Sequence, residues 1–313
     1  MTTQPSIAFI GLGQMGQGIA ANLVRAGFEV AVHDVREASA ATLVAEGARW
    51  AADPADAADG ADVLFTSLPT PAVVQQVAHG PRGVVEALKP GSAWFDLSTN
   101  ALDVVRALHE ELGGRGVDFF DAPVSGGPAG ARSGKLAVWA GGDADAFERH
   151  RPLLDRISDQ PRLIGDIGAG TTAKLLHNVV SAAIHAVTAE VMSVGVKAGI
   201  EPSALFETLR SGAAGRRRSF DALMPRYLAG QFEPASFQLQ LAFKDVGLAR
   251  RLSQEVGVPT HICDLVFSEM AEAMNRGWGE RDSQSFLLLQ QERAGLEPIA
   301  VPAEQIEQIR ERT

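Results

Sequence analysis

Cysteine is almost missing from this chain of 313 residues: the single Cys263 excludes an internal disulfide and any zinc-type cysteine spacing. Such usage fits a reducing compartment, and a cytoplasmic location is expected. The seven histidines are scattered, with no His-x-x-x-His or Glu-x-x-His pair on a helical pattern, so no metal is expected. Basic side chains are in deficit, 28 against 38 acidic ones, for a formal net charge of −10. The chain therefore lacks the broad positive field that attracts phosphate backbones, and nucleic acid is not an expected partner, although one local pocket can still be basic. No long apolar run exists either. The most apolar stretch, 175–189, contains His177, Asn178 and His185, and at about 1.5 Å per residue it falls short of a bilayer core of ~30 Å. No membrane partner is expected. Residues 1–6 are short and polar, without the basic start and apolar region of an export signal. There is no Gly-x-Ser-x-Gly elbow and no Cys–His arrangement to suggest hydrolysis, no internal repeat and no low-complexity tract.

What the chain does have is a globular balance, with 46% apolar and 21% charged residues, and length enough for two domains. Up to about residue 165, short apolar runs alternate with helical patterns. Strands are expected at 7–10, 29–34, 63–68, 93–97, 117–122 and 136–140, with amphipathic helices between them such as 15–26, 73–79 and 102–112. Gly27, Gly47 and Pro90-Gly91 stop helices or permit tight turns. The alternation implies βαβ units and a mostly parallel sheet covered on both faces. Beyond Gly165 only helical patterns follow, at 171–198, 202–210, 220–228, 241–255, 260–276 and 283–294. The first is about 28 residues or ~42 Å long, and its apolar circumference is that of a helix buried on many sides. The expected organisation is an α/β domain over 1–165, a doubly wound sheet, then an all-α domain over 166–313 with a long central helix. Covering that helix calls for a homodimer or homotetramer.

The segment Gly11-Leu12-Gly13-Gln14-Met15-Gly16 is a G-x-G-x-x-G directly after the first strand and opening the first helix. In that context Gly11 takes the tight turn, Gly13 lets a pyrophosphate approach the backbone, and Gly16 lets the helix pack closely. The helix N-terminus offers N–H groups and partial positive charge to phosphates. Glycine turns alone are common; the placement is what makes this one a dinucleotide fingerprint. Asp34, 18 residues past Gly16 at the end of the second strand, suits the adenosine ribose hydroxyls and repels a 2′-phosphate, favouring NAD over NADP. Arg36 points the other way, since it can bind that phosphate, so NADP stays open.

Three further motifs follow: Asp121-Ala122-Pro123-Val124-Ser125-Gly126-Gly127, Gly170-Thr171-Thr172-Ala173-Lys174-Leu175-Leu176-His177-Asn178, and Lys244-Asp245. With the glycine loop they make the chain closely resemble the β-hydroxyacid dehydrogenase family, which includes 3-hydroxyisobutyrate dehydrogenase and 2-hydroxy-3-oxopropionate reductase. The resemblance runs from Ile7 to about Ala294. It implies a Rossmann domain and a helical domain with an active site between them, and hydride exchange between NAD(P) and a small β-hydroxy acid. It assigns Lys174 as the catalytic lysine and Asn178 as its neighbour, and it gives Ser125, Gly126 and Gly127 to the substrate carboxylate. Leu68 and Pro69 fall to the adenine side of the cofactor, Thr99 to the nicotinamide side, and Lys244 to the cofactor.

That chemistry suits these residue types. Hydride transfer at carbon needs a matching proton transfer at oxygen, which a lysine of lowered pKa can perform. Lys174 stands near the start of an apolar helix, where the macrodipole disfavours its charge. Asn178, Ser181, His185 and Thr188 all fall within about 40° of Lys174 on a helical wheel. For His177 and His185 a structural role in the core is the expectation. The Gly215-Arg216-Arg217-Arg218-Ser219 run is read first as a basic turn and otherwise as a contact to a second anionic group of the substrate. The turn at 277–282 is a lesser candidate to line the cleft. Three rivals remain: an imine reductase, 6-phosphogluconate dehydrogenase with its much larger helical domain, and a non-catalytic dinucleotide-binding scaffold. The lysine speaks against the first and the third.

Overall fold

The computed structural model describes residues 4–197, 199–212, 221–255 and 260–311. The chain divides into two compact units, Met1–Lys174 and Leu175–Thr313.

In the first unit the strands are β1 (Ile7–Ile10), β2 (Val30–His33), β3 (Arg49–Trp50), β4 (Val63–Thr66), β5 (Ala93–Asp96), β6 (Asp118–Asp121), β7 (Val124–Ser125), β8 (Leu136–Gly141) and β9 (Ser158–Gly165). The helices between them are α1 (Gly16–Arg25), α2 (Ala41–Ala45), α3 (Pro54–Ala58), α4 (Pro71–His79), α5 (Leu102–Gly113), α6 (Gly127–Ser133) and α7 (Ala144–Leu154). The sheet runs β3-β2-β1-β4-β5-β6-β8-β7, with β9 on β8. Its first six strands are parallel, and β8 is antiparallel to β6. The order 3-2-1-4-5-6 is that of a doubly wound dinucleotide-binding sheet, whose ligands lie at the carboxyl ends of the strands where the winding reverses. Here that point falls between β1 and β4.

The six expected strands form, and three more join them. β1, β4 and β5 are buried at every position, as strands covered on both faces must be. Phe9, Phe65, Phe95 and Phe120, one on each of four neighbouring strands, stack across the sheet at centroid distances of 6.1, 5.5 and 4.4 Å. Phe147 of α7 meets Phe120 edge-on and extends this aromatic row into the helical layer.

The long helix α8 (Ala169–Lys197) starts in the first unit and continues in the second. With α9 (Pro202–Ser211), α10 (Leu239–Glu255), α11 (His261–Asn275), α12 (Leu288–Arg293) and α13 (Ala303–Glu311), it makes the second unit mostly helical. Phe243 and Phe267 stack at 4.6 Å and join α10 to α11. Among the described residues no helix is long and apolar enough to cross a membrane.

Two expectations are corrected. Of the helix expected at 220–228, residue 220 lies outside the described residues, Asp221 is helical, and after a break at 222–223 a single wide turn, Met224–Leu228, follows with Pro225 in its first turn, where the missing N–H is tolerated. The expected helix at 283–294 opens as a 3-10 turn, Ser283–Leu287, because Asp282 caps it by accepting from the Gln284 N–H only two residues on. On α8, Leu176, Val180 and Val187 are about half exposed, as expected of a helix with more apolar surface than the chain itself covers.

Candidate active site

The glycine loop leaves β1 and is fixed from three sides. The Gly11 N–H donates to the His33 carbonyl at 2.9 Å, tying the loop to the end of β2. The Leu12 N–H donates to Asp34 Oδ2 at 2.8 Å. Gly11 has φ +97°, and a Cβ there would overlap the Ser67 carbonyl oxygen. At Gly16 a Cβ would overlap the Gly11 carbonyl oxygen, so the third glycine of the motif serves the loop's own closure. Gly13 differs, because among the described residues, its chain neighbours aside, nothing lies within 4 Å of its missing Cβ. That opening sits at the start of α1, whose N-cap residue Met15 makes no side-chain cap. By contrast, Asp53, Thr70 and Asp143 cap α3, α4 and α7. An uncapped helix start beside open backbone fits a pyrophosphate.

Asp34 holds the loop and the following turn together, since its other oxygen accepts from the Arg36 N–H at 2.9 Å. The Arg36 guanidinium lies 3.7 Å from the same oxygen and is 72% exposed.

The loops after β4 and β5 are joined by a buried network that the sequence did not advertise. Asp96, at the end of β5, accepts from the Thr66 hydroxyl (2.8 Å), the Ser98 N–H (3.1 Å) and the Asn100 amide (2.8 Å). Trp94 Nε1 donates to Thr66 Oγ1 at 2.9 Å. Burial raises the Asp96 carboxyl above the usual carboxylate range, and these donors pull it back. Ser98 Oγ in turn accepts from the Leu68 N–H at 2.9 Å. So Leu68-Pro69 and Thr99, assigned to opposite ends of the cofactor, sit on loops bound to each other.

Ser125 lies on β7, paired with Ala137 of β8. Gly126 and Gly127 follow with φ +130° and +61°, and no side chain caps α6. Among the described residues, its chain neighbours aside, nothing lies within 4 Å of the missing Gly127 Cβ, which leaves room for an anion at that backbone. Helix α6 also touches α1: a Cβ on Gly18 would come within 2.9 Å of the Ala131–Arg132 backbone, and Asn22 donates to the Ala131 carbonyl at 2.7 Å. Gly18 is a fourth glycine beyond the fingerprint, visible in the sequence only as one more small residue.

At the end of β6, Asp121 accepts from the Gly168 N–H at 2.7 Å and the Thr171 N–H at 2.6 Å, at the start of α8. Lys174, half-buried, follows on the same helix. The glycine loop, Asp34, Leu68-Pro69, Thr99, Ser125–Gly127 and Asp121 thus all lie at or just past the carboxyl ends of the parallel strands.

In the second unit, Asn178 and Lys244 meet at one carboxylate. Asn178 Nδ2 donates to Asp245 Oδ2 at 2.8 Å, and Lys244 Nζ lies 2.7 Å from Asp245 Oδ1, with Asp245 almost wholly buried. The expected turn at 277–282 packs on the start of α10, where the Leu239 and Gln240 N–H groups donate to the carbonyls of Arg281 and Gly279. Arg216, Arg217 and Arg218 lie outside the described residues.

The stripe beyond Asn178 is structural in two places. The Thr188 hydroxyl donates to the Ile184 carbonyl at 2.7 Å. Burial pushes the His185 imidazole down from 6.5 to about 4, against a smaller upward pull from Asp282. Between those values the unfolded chain binds the proton and the folded chain does not, so the stability tied to neutral His185 is present above pH 6.5 and is lost as pH falls toward 4. His185→Leu is expected to flatten that part of the pH–stability curve. Urea midpoints at about pH 5 and about pH 7.5 measure it; an unchanged gap between them would count against a buried neutral histidine.

Comparison with known proteins identifies the family. A family model described as the NAD binding domain of 6-phosphogluconate dehydrogenase matches residues 6–168. A second, described as the NAD-binding of NADP-dependent 3-hydroxyisobutyrate dehydrogenase, matches 168–289. The chain belongs to the β-hydroxyacid dehydrogenase family. Like the family, it is an oxidoreductase that uses NAD or NADP. Among its relatives, the NAD-dependent L-serine dehydrogenase of Pseudomonas aeruginosa is 36% identical over 88% of this chain and 94% of its own. The 2-(hydroxymethyl)glutarate dehydrogenase of Eubacterium barkeri is 32% identical over 93% and 96%. The crystal structure of 3-hydroxyisobutyrate dehydrogenase from Salmonella typhimurium is 30% identical, with a TM-score of 0.82 over 91% of this chain and all of that one.

Proposed function

We propose that the protein is a β-hydroxyacid dehydrogenase in activity as well as in family, interconverting a small β-hydroxy acid and its semialdehyde with NAD. When bound, the nicotinamide supplies the hydride chemistry. The chain's part is to hold the acid and move the proton. Ser125, with the open backbone at Gly126 and Gly127, holds the substrate carboxylate. Lys174 takes the proton from the hydroxyl as the carbonyl forms and returns it in the reverse direction. Asn178, one turn further along α8, steadies the lysine or the substrate oxygen. Lys244, held by Asp245, is the late cofactor contact.

The observation that carries this reading is that Lys174 rides on a helix whose start is bonded to the strand end leading into the Ser125 loop. A scaffold that only bound the dinucleotide would need neither. NAD is preferred because a carboxylate, Asp34, stands where the adenosine ribose is read and would repel a 2′-phosphate.

The test is turnover with NAD and NADP in parallel on 3-hydroxyisobutyrate, glycerate, threonate and sulfolactate-type acids, with their semialdehydes and a cyclic imine. Oxidation of one acid, faster with NAD, is the expected result. Silence on every acid with reduction of the imine would overturn it, as would cofactor binding without any turnover. The active species is expected to be a homodimer or larger, since Leu176, Val180 and Val187 leave an apolar face on α8; light scattering on the same preparation reads its mass.

A further inference from the structure

We propose that Asp121 is the positioning residue for Lys174, setting the lysine against the Ser125–Gly127 loop by holding the first turn of α8 to the end of β6. The inference rests on the reading of Lys174 and Ser125 given above.

A helix start leaves several N–H groups without partners, and the usual remedy is a Ser, Thr, Asp or Asn side chain immediately before the helix. Helix α8 is served differently. Both oxygens of Asp121 take one N–H each, from residues 47 and 50 positions further along the chain. The cap is therefore a tie between two distant pieces of backbone, and those pieces carry the substrate loop and the lysine.

Two glycines make the tie close. A Cβ on Gly170 would overlap the carbonyl oxygens of Trp139 and Asp121 and press on Pro123 Cδ at 3.1 Å, so the first turn of α8 sits directly on the 121–123 backbone. A Cβ on Gly141 would stand 2.5 Å from Asp121 Oδ1 and 3.0 Å from the Ala169 nitrogen. Ser125 is two residues beyond Pro123 and Lys174 four beyond Gly170. Little freedom is left between them.

The arrangement is a costly way to cap a helix. Burial pushes the Asp121 carboxyl up to about 6, even though the two N–H donors favour its charged form. A local Ser or Thr would satisfy one such donor without burying a carboxyl. What Asp121 adds, and a local cap cannot, is a fixed distance between the two loops. A shift of about 1 Å in reacting groups can cost about 100-fold in rate.

The experiment compares Asp121→Asn and Gly141→Ala with wild type, using the panel acid that wild type turns over fastest. Asparagine keeps the shape but turns an NH2 toward one N–H. Gly141→Ala keeps the carboxyl and displaces it, so a folding failure in either variant leaves the other to decide. In folded protein kcat is expected to fall about 10- to 100-fold, with the NAD dissociation constant within about threefold and KM moving less than kcat. A lowered melting temperature with wild-type kcat would make Asp121 a structural cap only and overturn the proposal. Lys174→Ala runs alongside. If it retains turnover, the lysine reading fails; if it is inactive while both junction variants keep wild-type kcat, only this inference fails.

Discussion

Replacing Lys174 by alanine is expected to lower kcat by about 100- to 10,000-fold, the usual contribution of a positioned general acid–base group. At 1.36 kcal/mol per decade this corresponds to roughly 3–5 kcal/mol of transition-state stabilisation. The NAD dissociation constant should stay within about threefold, since the glycine loop, Asp34 and the two loops joined through Ser98 do not depend on the lysine. Lys174→Arg should be nearly as inactive. Arginine keeps the charge and much of the length, but it does not give up its proton in a protein and so cannot accept one from the substrate. The pair separates two roles that alanine alone confuses. If Lys174 merely attracted the substrate carboxylate, arginine would restore much of kcat/KM. Steady-state kinetics with fluorescence titration of NAD measures all three quantities. Turnover surviving in Lys174→Ala would remove the lysine from proton transfer and reopen the family's other chemistries.

The first unit was readable because its signals are local. Short apolar runs separated by helical periods give the parallel strands, and a glycine fingerprint placed between a strand and a helix gives the dinucleotide loop. The missed strands lack such signals. β3 and β7 are two residues each, and β9, Ser-Asp-Gln-Pro-Arg-Leu-Ile-Gly, carries charges and a proline because it lies outside the covered parallel core. The site divides in the same way. The family motifs supplied Lys174, Asn178 and Ser125, each on or beside the expected element. The roles of Asp96, Asp121 and Asp245 are not written locally, because one deciding partner of each, Thr66, Thr171 and Asn178, lies 30, 50 and 67 residues away. One hint was available: Trp-Phe-Asp and Phe-Phe-Asp each end a buried strand on an acid. A carboxyl in that position must find donors, and the sequence alone does not say which.

The glycine loop offers the second large effect, and its last two glycines should fail differently. Gly16→Ala places a Cβ against the Gly11 carbonyl oxygen, backbone that cannot yield without opening the turn. Both the melting temperature and NAD binding should suffer, the first by an amount typical of overpacking, about 1–3 kcal/mol. Apart from its chain neighbours, the Cβ of Gly13→Ala meets nothing within 4 Å among the described residues. Gly13 does not adopt the left-handed backbone that excludes alanine, so the unliganded protein should melt within about 2 °C of wild type, a shift of about 1 kcal/mol at most for a chain of this size. Yet NAD affinity should drop by about 100-fold or more, because the added methyl occupies the space through which a pyrophosphate reaches the N–H groups of α1. Thermal melts with and without NAD give both numbers from one sample set: wild type gains stability from the ligand, and Gly13→Ala should not. Full NAD stabilisation of Gly13→Ala would mean that the open space at Gly13 is not where the phosphates lie. Equal thermal damage in both variants would mean instead that Gly13 serves the turn, and the division of labour along the motif would have to be redrawn.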